Sequence, residues 1–482
     1  MQKPIETTKF SEWYLNAIQE AALFDYSPVR GCAVIRPNGY KIWECIQKNL
    51  DGEFKKLDVE NAYFPLFIPE SFLNKEKKHI EGFSPELAVV THAGGNKLEE
   101  PLVVRPTSET IIYYMFSKWI KSHRDLPLKI NQWANVVRWE MRTRPFLRTT
   151  EFLWQEGHTA HENEEEAFEF AKTILNLYST FLKEVLAIPH LTGAKPESEK
   201  FAGAKATLTL EPMMGDGKAL QVGTSHLLEN SFPEAFEVFF QDSEGKNRSP
   251  WCTSWGMTTR LIGAVIMTHG NPTEGLILPA RIAPIQIAIV PIRKKTDDQT
   301  LLNNFIDQIT TLLKNAGIRI KLFDGESSPG ARFFETEKVA APLRLEVGMR
   351  DAQANQVFVS PRLSFGQYKK QGVSFSDLLD FWTKFESDFH NHLYTRAEQL
   401  MNDNFKEIDT LAELEKEFEA GLGFFKAAWC LSSECEAKLK PLGASFRVMI
   451  NKHFIHGEDN REKQCFSCGK NVTTKAIIAK AY

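Results

Sequence analysis

The chain has 482 residues, 43% hydrophobic and 25% charged, with a formal net charge of −4. This is the composition of a globular protein with a real core, about three domains long, and it rules out nucleic-acid binding through bulk charge, leaving only local basic patches for such a partner. No apolar run reaches membrane-spanning length, the opening residues carry no signal-peptide core, and the seven cysteines are not spread as a disulfide framework, which together predict a reduced, cytoplasmic setting.

In chain order, the first informative pattern is Arg105-Pro-Thr-Ser-Glu109, running into an apolar helix. If extended, it sets Thr107 and Glu109 on one face, a hydroxyl and a carboxylate able to receive an ammonium group. As a lone pentapeptide it reads equally well as a helix N-cap. Next, the segments around Arg138 and over residues 151–158 read as strands flanking a turn that holds Arg142, Arg144, Arg148 and Thr149. Period two places Arg138 with Glu140, and Phe152, Trp154, Glu156 and His158 together. Such a face is a poor core. It suits a nucleotide and a small zwitterion, because guanidinium forks match phosphate oxygens and an aromatic ring can stack on adenine.

Asn163 and Glu166 read as a capping box. The helix behind them carries Phe168, Ala171, Leu175, Tyr178 and Leu182 at core spacing. In Leu220-Gln-Val-Gly-Thr-Ser-His226, Thr224 and His226 share a face while Gln221 has the opposite parity. Either the chain bulges near Gly223 or Gln221 acts from a bend. Arg260 stands where a strand gives way to an apolar helix. A cation there opposes the helix dipole, which points to a phosphate partner.

A boundary is expected near residues 278–284. A strand at 285–290, an amphipathic helix at 301–315 and a strand at 318–323 then give the rhythm of a small α/β domain. Residues 374–419 read as mostly helical and highly charged. Cys430 and Cys435, with Cys465 and Cys468, offer four thiolates for a tetrahedral structural zinc. From Glu434 onward nine Lys or Arg face five Asp or Glu, a weak lean toward an anionic partner.

Taken together, these motifs resemble the prolyl-tRNA synthetases, a class II aminoacyl-tRNA synthetase family. Arg138, Glu140 and Phe152 are similar to class II motif 2, and residues 255–267 with Arg260 to motif 3. Residues 31–43 with Pro37 resemble the dimer-forming motif 1, and Arg105-Pro-Thr-Ser-Glu109 resembles the family's proline-pocket signature. The resemblance implies an α+β fold. Residues 1–280 would form a catalytic domain with a mixed, largely antiparallel sheet and helices, 281–385 an α/β anticodon-binding domain, and 386–482 a small zinc-binding C-terminal domain. It further implies a cytoplasmic homodimer, without membrane attachment, that uses ATP and Mg2+ to join L-proline to tRNA(Pro) through prolyl-adenylate. Structural Zn2+ would sit on Cys430, Cys435, Cys465 and Cys468.

In the site so implied, Thr107 and Glu109 hold the imino group of proline, while Trp154, His158 and His226 border it. Arg138 grips both the amino-acid carboxylate and the α-phosphate. Glu140, Arg148, Thr149, Gln221 and Thr224 serve ATP, Phe152 stacks on adenine, and Arg260 holds the γ-phosphate. Glu337 and Arg344 match positions near the anticodon guanines. Some relatives send a C-terminal tyrosine back to the catalytic domain with its carboxylate near the active site. For Tyr482, the alternative is that it merely covers the last domain's core.

The sequence departs from the family at Leu228-Glu-Asn-Ser-Phe232, at Thr336, where the family has Trp, and at Ala340, where it has Gly. The span from His158 to Pro250 is too short for the large editing insertion of bacterial-type enzymes, so the architecture resembles the archaeal and eukaryote-like type. Two other readings are a threonine or serine enzyme, opposed by Thr107, Glu109, Trp154 and His158, and a non-catalytic paralogue, opposed by the retained Arg138 and Arg260.

Overall fold

The computed structural model describes residues 2–73, 87–294, 297–450 and 461–482. Eleven strands make one large sheet. From one edge to the other they are Glu60–Asn61, Leu128–Val137, Glu151–His161, Trp251–Thr258, Gly223–Leu228, Ala204–Pro212, His190–Ala194, Ser445–Ile450, Lys475–Ala479, Phe424–Ala428 and Phe405–Glu407. Only the two outermost pairs are parallel. The mixed, largely antiparallel sheet expected from the motifs is therefore present.

Alternation divides the two faces of this sheet. In Ala204–Pro212, Leu208 and Leu210 enter the apolar core, and the intervening Thr207, Thr209 and Glu211 take the other side. The dry face packs on the helices Thr7–Glu20, Pro37–Lys55, Glu164–Glu184 and Arg260–His269. Helix Glu164–Glu184 shows why these residues become helical. Asn163 Oδ1 accepts the N–H of Glu166 at 3.0 Å, three glutamates occupy the positive first turn, and Ala167, Ala171, Ile174, Tyr178 and Phe181 form one buried seam. Phe168, expected in that seam, is only half-buried, because Ala167 holds the seam position one residue earlier.

One glycine fixes the sheet's geometry at the site. Gly157 lies opposite Trp255, and a Cβ on it would fall 1.9 Å from the indole. Only glycine lets that buried ring lie against the strand at this point.

A second sheet has the order Ile320–Leu322, Ile287–Ile292, Leu343–Gly348, Gln356–Pro361, Gln371–Ser374, with the first three strands parallel. It shares a core with helix Gln299–Asn315 and with the start of helix Leu378–Asp403. Asp298 caps the former helix by accepting the N–H groups of Thr300 and Leu301, so it starts two residues before its apolar pattern. The helical stretch expected over residues 374–419 is interrupted by strand Phe405–Glu407, which separates Leu378–Asp403 from Leu411–Ala420.

Among the described residues, the cysteine-bearing part has only one small sheet of its own, Lys463–Gln464 with Asn471–Val472. Its strand Ser445–Ile450 pairs with His190–Ala194 through Met449 and Ala194, so its strands prolong the catalytic sheet. Helix Leu378–Asp403 likewise runs unbroken through residue 385.

Candidate active site

Strand register assembles the site in rows. His158, Ser254, His226 and Thr207 are neighbours across four strands, and Glu156, Gly256, Thr224 and Thr209 form the next row. Above these rows is a cavity of about 810 Å³, lined by every residue assigned above to proline or ATP. Tyr482 lines it too.

At its amino-acid end the parity argument for Thr107 and Glu109 needs correction. The segment is not extended, because helix Glu109–Trp119 begins at Glu109 itself. The two side chains still meet, with Thr107 Oγ1 donating to Glu109 Oε2. Ser108 stands at the N-cap position but makes no side-chain cap. Its N–H and hydroxyl instead donate to Glu156, which also accepts Gln132 Nε2 at 2.5 Å. Burial alone would raise the pKa of Glu156, but His158, Ser108 and Gln132 outweigh it and hold the carboxyl below its ordinary value.

That carboxylate fixes His158 through Nε2 at 3.1 Å. Nδ1 of His158, Nε1 of Trp154 and Oγ of Ser254 are buried without a partner among the described residues. Each such atom costs about 1–3 kcal/mol when left dry, and all three residues border the cavity. His226 is kept neutral, its pKa brought down to about 3 by burial and by the neighbouring His158. Its Nδ1 meets Thr207 Oγ1 at 2.9 Å, and its ring lies 4.6 Å from that of Phe201.

The other end is cationic. Arg138 follows the end of its strand, anchored by Nε to Pro106 O at 3.0 Å, with its guanidinium 5.5 Å from the rings of both Phe152 and Trp154. Arg148 pairs with Glu140, and Thr149 Oγ1 donates to Glu151 O. Arg260 is the first residue of its helix, as expected, and holds Leu147 O and Gln221 O at 2.9 and 3.0 Å. Burial, with Arg138 and Arg148 nearby, lowers its pKa to about 10, so it stays charged at neutral pH. Gln221 precedes strand Gly223–Leu228. Val222 N–H donates to Leu210 O at 3.2 Å while Gly223 is also the register partner of Leu210, so two residues oppose one and the chain bulges next to Gly223.

The chain end also reaches this side. Tyr482 donates to Asp216 Oδ2 at 2.7 Å, and Arg144 and Lys218 lie over its ring at 4.6 and 4.8 Å. Ile478 is packed in the core of the last segment and Ile477 in a core shared with Met213 and Ala219, while Tyr482 packs against the core of the catalytic part and not over that of the last segment.

Away from the cavity, the sulfurs of Cys430, Cys435, Cys465 and Cys468 all lie within 4.8 Å of one another. Thiolates around tetrahedral zinc at about 2.3 Å stand about 3.8 Å apart; here Cys430 is 3.5 Å from Cys435 and 3.8 Å from Cys468. Burial raises the pKa of Cys465, but backbone N–H groups of Cys468, Ser467 and Cys430 outweigh it and bring the thiol down to about 7. The set fits zinc. In the second sheet's unit, Arg344 lies 3.6 Å from Glu337 and 4.1 Å from the Phe333 ring centroid. Ala340 has φ +52°, a left-handed conformation that favours the family's glycine.

Sequence reading missed Phe201, Thr207, Glu199 and Arg447, all of which line the cavity. Thr207, Thr209 and Glu211 alternate with leucines, a signal that could have found that strand. Arg447, charged between apolar neighbours in Ser445–Ile450, was another.

Three family models match: tRNA synthetase class II core domain (G, H, P, S and T) over residues 92–269, anticodon binding domain over 286–384, and prolyl-tRNA synthetase C-terminal over 411–482. A proline–tRNA ligase of Borreliella burgdorferi (strain ZS7) is 49% identical over 98% of both chains. The chloroplastic/mitochondrial proline–tRNA ligase of Arabidopsis thaliana is 47% identical over 98% of this chain and 87% of its own. The crystal structure of the Cryptosporidium parvum prolyl-tRNA synthetase, complexed with halofuginone and AMPPNP, superposes with a TM-score of 0.91 at 39% identity, covering 98% of this chain and 97% of that one. The chain belongs to the prolyl-tRNA synthetases, class II enzymes that charge tRNA(Pro) with proline using ATP.

Proposed function

We propose that proline sits at the Thr107–Glu109 end of the cavity and ATP at the arginine end. The observation that carries this reading is the pair of contrasting ends: three buried polar atoms with no partner among the described residues beside a buried hydroxyl–carboxylate pair, and a cluster of arginines in which Arg138 and Arg260 are half-buried and Arg148 is exposed. Thr107 and Glu109 accept the hydrogens of the secondary ammonium, and Trp154, His158 and His226 wall the ring. Arg138 holds the proline carboxylate against the α-phosphate. Phe152 stacks on adenine; Glu140, Arg148, Thr149, Gln221 and Thr224 contact the nucleotide; and Arg260 takes the γ-phosphate. A carboxylate oxygen of proline attacks the α-phosphorus in line, and the bond to the β-phosphate breaks, releasing pyrophosphate. The terminal ribose hydroxyl of tRNA then attacks the carbonyl, and AMP leaves. Positioning and charge neutralisation carry the rate, with little proton transfer by side chains. Bound Mg2+ supplies further neutralisation of the phosphates.

The same reading divides the chain into residues 1–280, 281–385 and 386–482, the last boundary falling within helix Leu378–Asp403. Glu337 and Arg344 face the anticodon. Cys430, Cys435, Cys465 and Cys468 would hold a structural zinc, since four thiolates would fill a tetrahedral shell and leave no open position for catalysis. Tyr482 brings the chain's terminal carboxylate beside the arginines and steadies them before ATP arrives. A second copy covers the segment that exposes Tyr26, Val29, Val34 and Tyr40. A cytoplasmic location fits, since no helix among the described residues is long and apolar enough to cross a membrane.

Four measurements test this. Arg138→Ala should lose at least about a hundredfold in proline-dependent pyrophosphate exchange at an unchanged melting temperature, and threonine or serine should not replace proline in the parent. Near-parent exchange by the variant would reject the assignment. Elemental analysis after dialysis should return one zinc per chain, and metal-free protein purified without chelator would remove the zinc claim. Deleting Tyr482 should weaken adenylate formation about tenfold with stability and zinc content retained; a fall in stability at constant activity per folded molecule would make the residue a packing element. Sedimentation should give twice the 55.0 kDa chain mass, and a monomer at micromolar concentration would exclude the pairing.

A further inference from the structure

Glu211 lies on the polar face of strand Ala204–Pro212 and is fully buried. A carboxylate there requires close compensation. Lys195 Nζ donates to it at 2.7 Å and Thr209 Oγ1 at 3.2 Å. The remaining donors come from Arg447, whose Nη2 is 3.2 Å from both carboxylate oxygens and whose Nε is 3.3 Å from one. Arg447 belongs to strand Ser445–Ile450, in the part of the chain that matches the C-terminal family model.

Its third nitrogen reaches further. Nη1 is 3.2 and 3.4 Å from the oxygens of Glu199, which also accepts Lys195 Nζ at 3.0 Å. Two cations and two carboxylates thus balance at the junction of the C-terminal part with the catalytic sheet. Two residues past Glu199, the N–H of Phe201 donates to Thr207 Oγ1 at 3.0 Å, the atom that meets His226 Nδ1, and the Phe201 ring lies against the His226 imidazole. Glu199, Phe201, His226 and Arg447 all line the cavity.

We propose that Arg447 is a positioning residue for proline: by gripping Glu211 with one edge and Glu199 with the other, it fixes the 199–201 loop so that Phe201 and His226 close the amino-acid end of the cavity. The C-terminal part therefore sets the fit of the amino acid as well as lengthening the sheet. Lysine cannot replace it, since a single ammonium on a flexible stem lacks the planar fork that spans two carboxylates. The inference rests on the assignment of that end to proline.

The test uses the full-length chain, with Arg447→Lys, Glu199→Gln and the double variant, read by amide hydrogen exchange and by pyrophosphate exchange kinetics. Arg447→Lys should speed exchange at the Phe201 amide about tenfold and raise the proline KM about tenfold, with kcat and the ATP KM within about twofold of the parent. Glu199→Gln should do the same, and the double variant should be no worse than either single one, because all three cut one link. Unchanged protection at Phe201, additive effects, or a fall in kcat at constant proline KM would overturn the proposal. If Arg447→Lys fails to fold, Glu199→Gln alone decides it by the same readouts. A parent enzyme with no saturable proline dependence would instead remove the pocket assignment, while the exchange data would still judge the clamp.

Discussion

A β-strand shows every second side chain to each side, and the molecule is built around that constraint. Thr207, Thr209 and Glu211 take the polar side of the sheet, and Thr207 reaches the cavity, only because Leu208 and Leu210 face the helices. Glu156 and His158 do so because Gly157 turns toward Trp255. A slip of one residue in any of these strands would exchange the two sets, burying charge among hydrocarbon and wetting the core. The apolar face thus sets the register, and the register sets the site. Helix Glu164–Glu184, packed across the strands through Ala171, Ile174 and Tyr178, holds that register from behind.

Polar groups on the wet face are held under electrostatic tension. Arg260 is half-buried, and its desolvation with Arg138 and Arg148 nearby depresses its pKa to about 10; an anion between them would relieve both effects. His226 is neutral and His158 is pinned by an ionised Glu156, so hydrogen-bonding capacity is fixed before any ligand arrives. A site arranged in this way does its reorganisation during folding rather than during reaction, which is the condition under which dipoles and charges act most strongly on a transition state.

Much of this was legible in the sequence because it is local. Alternation in residues 151–158 identified the aromatic and histidine face, and Arg260 was recognisable at its strand-to-helix junction. The position of Glu109 was less legible, since the choice between an extended segment and a helix start depends on Ser108 giving its donors to Glu156, 48 residues away. For Gln221, parity alone does not choose between a bulge and a bend, because it cannot say where a strand's register shifts. The Glu199–Glu211–Arg447 cluster was out of reach for a plainer reason. Its partners stand 236 and 248 residues apart, and no local pattern records that strand Ser445–Ile450 joins the far sheet through Met449 and Ala194. Ala340 is a smaller case, where a family glycine became intelligible only when the left-handed backbone was seen.

The seam between His190–Ala194 and Ser445–Ile450 also has a history within each molecule's synthesis. The first of these strands leaves the ribosome early, and the second emerges only after the five-stranded sheet and the helix Leu378–Asp403 have been made. During that interval the nascent catalytic sheet ends in an open edge, with unpaired backbone groups and with Glu211 and Lys195 still lacking the arginine that later joins them. Open edges recruit other chains, and on a crowded polysome the nearest other chains are copies in the same unfinished state. The closing strand therefore covers part of an open edge at the same moment as it carries Arg447 to Glu211.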